Sequence, residues 1–165
     1  MVLTMAAVHA CAPRGRRACS AAALALMALL AGVTGSIHFV TLTVVRRLDA
    51  STAARLAPIL SFRWPSVFFA LDLLAWDVFL GLSLVLAASV FRGGAPQRRV
   101  RFALAAAGTL CLTGTLGPLL GELRLQVVAI LGYAFVFPVA CLLLGLLFRQ
   151  TASAANGVVT SKPPP

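Results

Sequence analysis

The chain has 165 residues, of which 61% are hydrophobic and 11% charged, and its formal net charge is +10. Soluble domains are about half apolar and about one quarter charged, so a soluble domain of this size would leave much apolar surface in water, and we expect the lipid bilayer to be the partner. The basic residues form small clusters between apolar runs, with no basic face or interleaved aromatic side chains, which argues against nucleic acid as a partner.

Four apolar segments are long enough to cross a bilayer core, which requires about twenty mostly apolar residues. Each must be helical, because an open strand cannot satisfy its backbone polar groups in lipid. We therefore predict an all-α fold, an integral membrane four-helix bundle with up-down-up-down antiparallel topology. Its spans cover residues 19–45, 65–91, 102–120 and 125–148 within a domain at 19–148.

The segments outside the spans have a different composition. Residues 1–18 form a basic N-terminal segment, and RGRR followed by an apolar run resembles a secretory signal. The apolar run continues to Val45, so we predict an uncleaved anchor. The loop after it mixes Arg with apolar residues, which is typical of a short helix at the membrane interface. The tail at 149–165 is small, polar and proline-ended, and predicts disorder.

The basic residues predict the orientation by the positive-inside rule. With the N-terminus inside, the cytoplasmic side holds Arg14, Arg16, Arg17, Arg92, Arg98, Arg99, Arg101, Arg149 and Lys162. The opposite side holds Arg46, Arg47, Arg55, Arg63 and Arg124. This excess predicts that both termini are cytoplasmic. The preference for Arg over Lys, with abundant Ala and Leu, is the bias of a GC-rich genome, and we expect a bacterial inner (plasma) membrane.

Each span places one polar side chain at about the same depth. The four residues are His38, Asp72, Thr113 and Tyr133, each eight or nine positions from a charge at the outer surface. At about 1.5 Å per residue, that depth is about 12 to 13 Å. The sequence therefore predicts an intramembrane polar cluster in the outer leaflet.

Asp72 and His38 are the predicted couple within this cluster. A carboxylate in hydrocarbon is costly unless it is paired, hydrated or neutralised, so Asp72 should face the bundle interior. His38 lies on the preceding, antiparallel span and is the natural partner. Such a couple would respond to pH, because His changes its charge near neutrality. The alternative is that these polar groups only hold helices together, at about 0.6 to 2 kcal/mol per bond.

Asp77 is a second buried acid, near the middle of the bilayer. It lies five residues beyond Asp72 and therefore about 140° away around the helix. It shares a stripe with Gly81, Leu84 and Ala88, where small residues allow close approach of helices. We expect Asp77 to face a partner helix, either in a central position within the bundle or from another subunit.

The sequence carries none of the H-E-x-x-H, G-x-S-x-G or P-loop motifs of common enzymes. Its cysteines form no C-x-x-C pair and its histidines are only two, His9 and His38, so we predict no metal site, catalytic residue or cofactor. The leading hypothesis is an accessory or interaction protein that packs against a second copy or a larger membrane complex. The alternatives are a proton-linked small transporter using His38 and Asp72, and a membrane-embedded enzyme acting on lipid.

Overall fold

A computed structural model describes residues 1–160 of the chain, and in this part the chain is all-helical. The helices are α1 Val2–Ala10, α2 Arg17–Thr43, α3 Ala50–Leu60, α4 Val67–Ala88, α5 Ala95–Gly114, α6 Leu116–Leu120 and α7 at residues 126–160. Helices α4 and α7 each contain a π-helical segment, Leu74–Phe79 and Leu131–Val136.

Four helical stretches are long and apolar enough to cross a membrane. They are Arg14–Arg47, Val67–Ala88, Ala95–Leu120 and Leu123–Thr151. This confirms the predicted all-α class with four membrane-competent helices and fits a small multipass membrane protein. The up-down order of the helices stays a prediction. The third helix begins at Ala95, before the predicted residue 102, because Pro96 in its first turn favours a helix start there.

Large apolar side chains cover the outside of the bundle. Phe39 is 67% exposed, Phe102 75% and Leu142 70%. Apolar patches of this kind are rare on soluble monomers, whereas acyl chains would solvate them. The interior is instead rich in small side chains, and Ala23 and Ala107 are fully buried. Small interior residues allow the helix backbones to approach closely.

The packing of α4 on α5 depends on two glycines. A Cβ atom placed on Gly108 would lie 2.6 Å from the carbonyl oxygen of Gly81 and 2.8 Å from Cγ2 of Val85. The two backbones are therefore in direct contact at this crossing. On its other side, α4 is fixed to α2 by the buried Ser83 hydroxyl, which donates to the carbonyl oxygen of Ala23 at 2.7 Å.

The N-terminal segment contains a helix that its basic character did not indicate. In α1, Met5 and Val8 are each only 1% exposed and belong to the hydrophobic core. His9 Nδ1 lies 2.8 Å from Ser20 Oγ, which joins α1 to the start of α2. The first residues of the chain are thus part of the packed bundle.

The predicted interfacial helix corresponds to α3, in which no residue is buried. Asp49 caps it, because its side chain accepts hydrogen bonds from the backbone N–H groups of Ser51 and Thr52 at 3.0 and 3.1 Å. At the other end of the chain, α7 continues as a helix to Thr160. The predicted disordered tail at 149–165 thus falls partly on this helix, and residues 161–165 lie outside the described residues.

Candidate functional site around Asp77

Asp77 is the most deeply buried acidic group in the described part of the chain. Its exposed fraction is 0%, and its Oδ1 accepts a hydrogen bond from Nε2 of Gln126 at 2.9 Å. Gln126 is 8% exposed and stands at the first turn of α7. The partner helix that faces Asp77 is therefore α7 of the same chain. A neutral amide supplies the donor that a carboxyl among apolar side chains needs.

Three buried oxygens at this place have no hydrogen-bond partner within the described residues. They are Oδ2 of Asp77, Oε1 of Gln126 and Oγ1 of Thr115. Native proteins keep few such groups, since each unpaired buried group costs about 1 to 3 kcal/mol. The acceptor capacity left at Asp77, Gln126 and Thr115 is what distinguishes this site from an ordinary contact between helices.

A cavity of about 240 Å³ adjoins both Asp77 and Thr115. Its other walls are apolar, with Leu74 and Val78 from α4 and Leu119 from α6. Trp64, just before α4, also lines it. Asp77 is thus adjacent to the cavity, while its side chain is fully covered and its carboxyl oxygens are not exposed in it.

The π-helical segments of α4 and α7 contact each other beside Asp77. The rings of Trp76 and Tyr133, one from each segment, have centroids 5.2 Å apart. A Cβ on Gly132 would lie 2.9 Å from the carbonyl oxygen of Ala107, so α7 also packs tightly on α5 here. Single π-helical turns are rare in helices and frequent at functional sites. Asp77 and Tyr133 thus lie in the two π-helical segments of residues 1–160.

The hydrogen-bonded couple predicted between His38 and Asp72 is not formed within residues 1–160. His38 is exposed, its Nδ1 lies 2.8 Å from the carbonyl oxygen of Thr34, and its ring packs on Phe62. Asp72 is half-buried, and its Oδ1 has no partner among the described residues. The physical reason is the rotation of α2. The buried face of α2 includes Ile37. His38 follows Ile37 and therefore points about 100° away from the core.

The other two members of the predicted cluster, Thr113 and Tyr133, lie in different surroundings. Thr113 is exposed, and its hydroxyl donates to the carbonyl oxygen of Thr109 in its own helix at 2.8 Å. Tyr133 is half-buried and lies close to the Asp77 side of the bundle through its contact with Trp76. Tyr133 therefore packs against the π-helical segment that contains Asp77, while His38 and Thr113 are exposed.

Gln126 and Thr115 are the two site residues that the sequence reasoning missed. Gln126 directly follows the GELRL turn between the third and fourth spans, and Thr115 lies six residues before that turn. The sequence did contain a signal for Gln126. A polar amide at the start of the most apolar helix needs a hydrogen-bond partner within the bundle.

The side chains of the site define its chemistry. The carboxyl of Asp77 can bind a proton or accept N–H and O–H donors, the Thr115 hydroxyl can donate or accept, and the free oxygen of Gln126 can accept. Among the described residues, no group of three or more His, Cys, Asp or Glu side chains is arranged to hold a metal ion. Comparison of the chain with protein-family models, with curated proteins and with solved structures gave no match.

Proposed function

We propose that this small multipass membrane protein binds and releases a proton at Asp77 inside its helix bundle, as a proton-linked carrier does. The supporting observation is that Asp77 is a fully buried acid whose Oδ1 bonds to an uncharged amide and whose Oδ2 has no partner in residues 1–160. Ionisable groups inside membrane-spanning helices commonly belong to proton or solute pathways. In this proposal Asp77 is the proton-binding group, in place of the His38–Asp72 couple that the sequence predicted.

Both protonation states of Asp77 are compatible with the observed contacts. Oδ1 can accept from Gln126 as a carboxylate oxygen or as the carbonyl oxygen of a neutral acid. In the neutral acid, Oδ2 carries the proton and becomes a donor. A proton can therefore arrive and leave without breaking the bond between α4 and α7.

Asp72 is the group through which a proton would reach Asp77. It is half-buried on the same helix, and five residues correspond to a rise of about 7.5 Å. The titratable groups near enough to interact electrostatically with Asp77 are Asp72, Cys111 and Tyr133. Of these three, only Asp72 is a carboxyl group, and because neighbouring carboxylates disfavour each other, a proton on either one relieves that repulsion.

Infrared difference spectroscopy on the full chain in lipid nanodiscs tests this proposal. As the pH is lowered, the band of a protonated buried carboxyl should appear in the wild type and be absent in Asp77→Asn. The Asn side chain keeps an acceptor for Gln126, so the variant should fold. Asp49→Asn, at an exposed cap, is the matched control and should keep the band. A band that is unchanged in Asp77→Asn would contradict the proposal.

The second candidate is the accessory or interaction protein, with a second copy of the chain as partner. On α2, Gly32 and Gly35 are exposed, and a Cβ on either would meet no atom within 4 Å. Gly81, Gly108 and Gly132 are by contrast in tight contact with neighbouring helices. Exposed small residues allow two copies of α2 to pack closely. Light scattering in detergent should show a dimer that Gly32→Ile abolishes, and a monomeric wild type would contradict this candidate.

A membrane-embedded enzyme acting on lipid would use the predicted polar cluster, with His38 and Asp72 among its members, as acid and base. In residues 1–160 the imidazole of His38 contacts the Thr34 carbonyl and Phe62, and it makes no hydrogen bond to Asp72.

A further inference from the structure

The cavity next to Asp77 combines one acid with apolar walls. Trp64, Leu73, Val78, Pro118 and Leu119 line it together with Asp77 and Thr115, whose unpaired side-chain oxygens lie covered beside it. Asp77 is fully buried and its Oδ2 is unpaired within the described residues, as is Thr115 Oγ1. A ligand that fits must therefore bring hydrogen-bond donors to one end and an apolar body to the rest of the cavity.

We propose that this cavity binds a small organic ammonium ion with an apolar substituent, whose N–H groups donate to Asp77 Oδ2 and Thr115 Oγ1. The inference rests on the proposed function in one respect, since both use the carboxyl of Asp77. The substituent lies against the apolar walls formed by α4 and α6. Trp64 also lines the cavity, and aromatic faces attract cations.

A metal ion fits this site less well than an ammonium ion. Hard cations such as Ca²⁺ and Mg²⁺ take about six or more oxygen ligands. The unpaired oxygens here belong to three side chains, Asp77, Thr115 and Gln126, and the rest of the cavity is apolar. An alkylammonium group carries three N–H donors and needs no complete oxygen shell. The volume of about 240 Å³ is below that of typical drug-sized pockets, which indicates a small ligand.

Binding requires a local opening above Asp77, because this side chain is fully covered. Leu74 and Leu119, which both line the cavity, are 39% and 74% exposed, so they can change rotamer without disturbing the core. The bound ammonium and the proton compete for the same carboxylate. One ammonium ion that enters therefore displaces one proton from neutral Asp77, and the charge of the site is conserved.

Calorimetric titration of the full chain in nanodiscs with 2-phenylethylammonium tests the inference, with 2-phenylethanol as the neutral analogue. Titrations in two buffers of different ionisation enthalpy count the protons released. We expect binding of the amine with release of a proton below neutral pH, and no binding of the alcohol. Asp77→Asn should weaken binding about tenfold or more, because it removes a charged hydrogen bond from an apolar site.

Two threonines provide the matched pair of variants. Thr115→Val removes the hydroxyl at the cavity and should weaken amine binding several-fold. Thr113→Val removes an exposed hydroxyl that bonds its own helix and should leave binding unchanged. Absence of amine binding, equal binding in Asp77→Asn, or equal effects of the two valine variants would overturn the inference. If the infrared band of Asp77 titrates while the amine does not bind, the ligand is refuted and the proton site stands.

Discussion

Asp77 and Gln126 are 49 positions apart in the sequence and are joined by a buried hydrogen bond of 2.9 Å. The bond connects the π-helical segment of α4 to the first turn of α7. It answers how an otherwise apolar span accommodates a carboxyl group, since the amide satisfies one oxygen without adding a second charge. The other oxygen remains free for a proton or a ligand.

This bond should stabilise the fold, and a double-mutant cycle measures by how much. Asp77→Ala and Gln126→Ala each break it, while the double variant also removes the unpaired partner. We expect a coupling free energy of about 1 kcal/mol, within the range seen for hydrogen bonds between membrane helices. Unfolding in mixed micelles provides the free energies. Strictly additive effects would mean that the two side chains do not stabilise each other.

The glycine contact between α4 and α5 predicts a position-specific effect of a single methyl group. Gly108→Ala places a Cβ against the Gly81 carbonyl and should lower the free energy of unfolding by about 1 to 3 kcal/mol. Gly32→Ala adds the same methyl group where no atom lies within 4 Å and should not destabilise the protein. The same micelle unfolding assay compares the two. Equal stability of both variants would refute the close backbone contact.

The cap of α3 should weaken in acid. Hydrogen bonds from Ser51 and Thr52 hold the pKa of Asp49 below its ordinary value. A carboxyl with a lowered folded-state pKa stabilises the helix above its unfolded pKa of about 3.9 and loses that contribution as the pH falls further. Amide exchange in α3 should therefore be faster in Asp49→Ala at neutral pH.

The variant Asp49→Asn separates the effect of the capping hydrogen bonds from the effect of the carboxylate charge. Asn is a good N-cap residue, so this variant should protect the α3 amides at neutral pH and should lose the acid dependence. Equal exchange in wild type and Asp49→Ala would contradict the capping role.

The packing of α1 predicts different outcomes for two neighbouring apolar residues. Met5 is 1% exposed and Leu3 is 85% exposed. Met5→Ala should cost about 2 kcal/mol or more, by loss of buried contacts, and should speed amide exchange in α1 at least about tenfold. Leu3→Ala should leave exchange unchanged. Similar exchange in the two variants would mean that α1 is not docked on the bundle.

Composition was sufficient to predict the four membrane-competent helices, because apolar length is a property of each segment alone. The partners of polar residues depend on the rotation of each helix about its axis, which apolar sequences specify weakly. For this reason His38 was assigned to the interior, whereas the buried position beside it is Ile37. The burial of Gln126 was not predicted, because a residue directly after a turn is expected to be exposed, whereas Gln126 at the start of α7 is buried. The burial of Asp77 could be predicted, because its position in the span places it near the middle of the bilayer.

The most direct test of the account is to measure the protonation of the Asp77 carboxyl group. Solid-state NMR of the full chain in lipid can follow the ¹³Cγ shift of Asp77 across about pH 4 to 9, a range around ordinary carboxyl and histidine titrations. The account predicts that this shift moves between the values of a neutral and an ionised carboxyl, and that 2-phenylethylammonium drives it to the ionised value. A shift that stays constant over the whole range, with and without the amine, would contradict it.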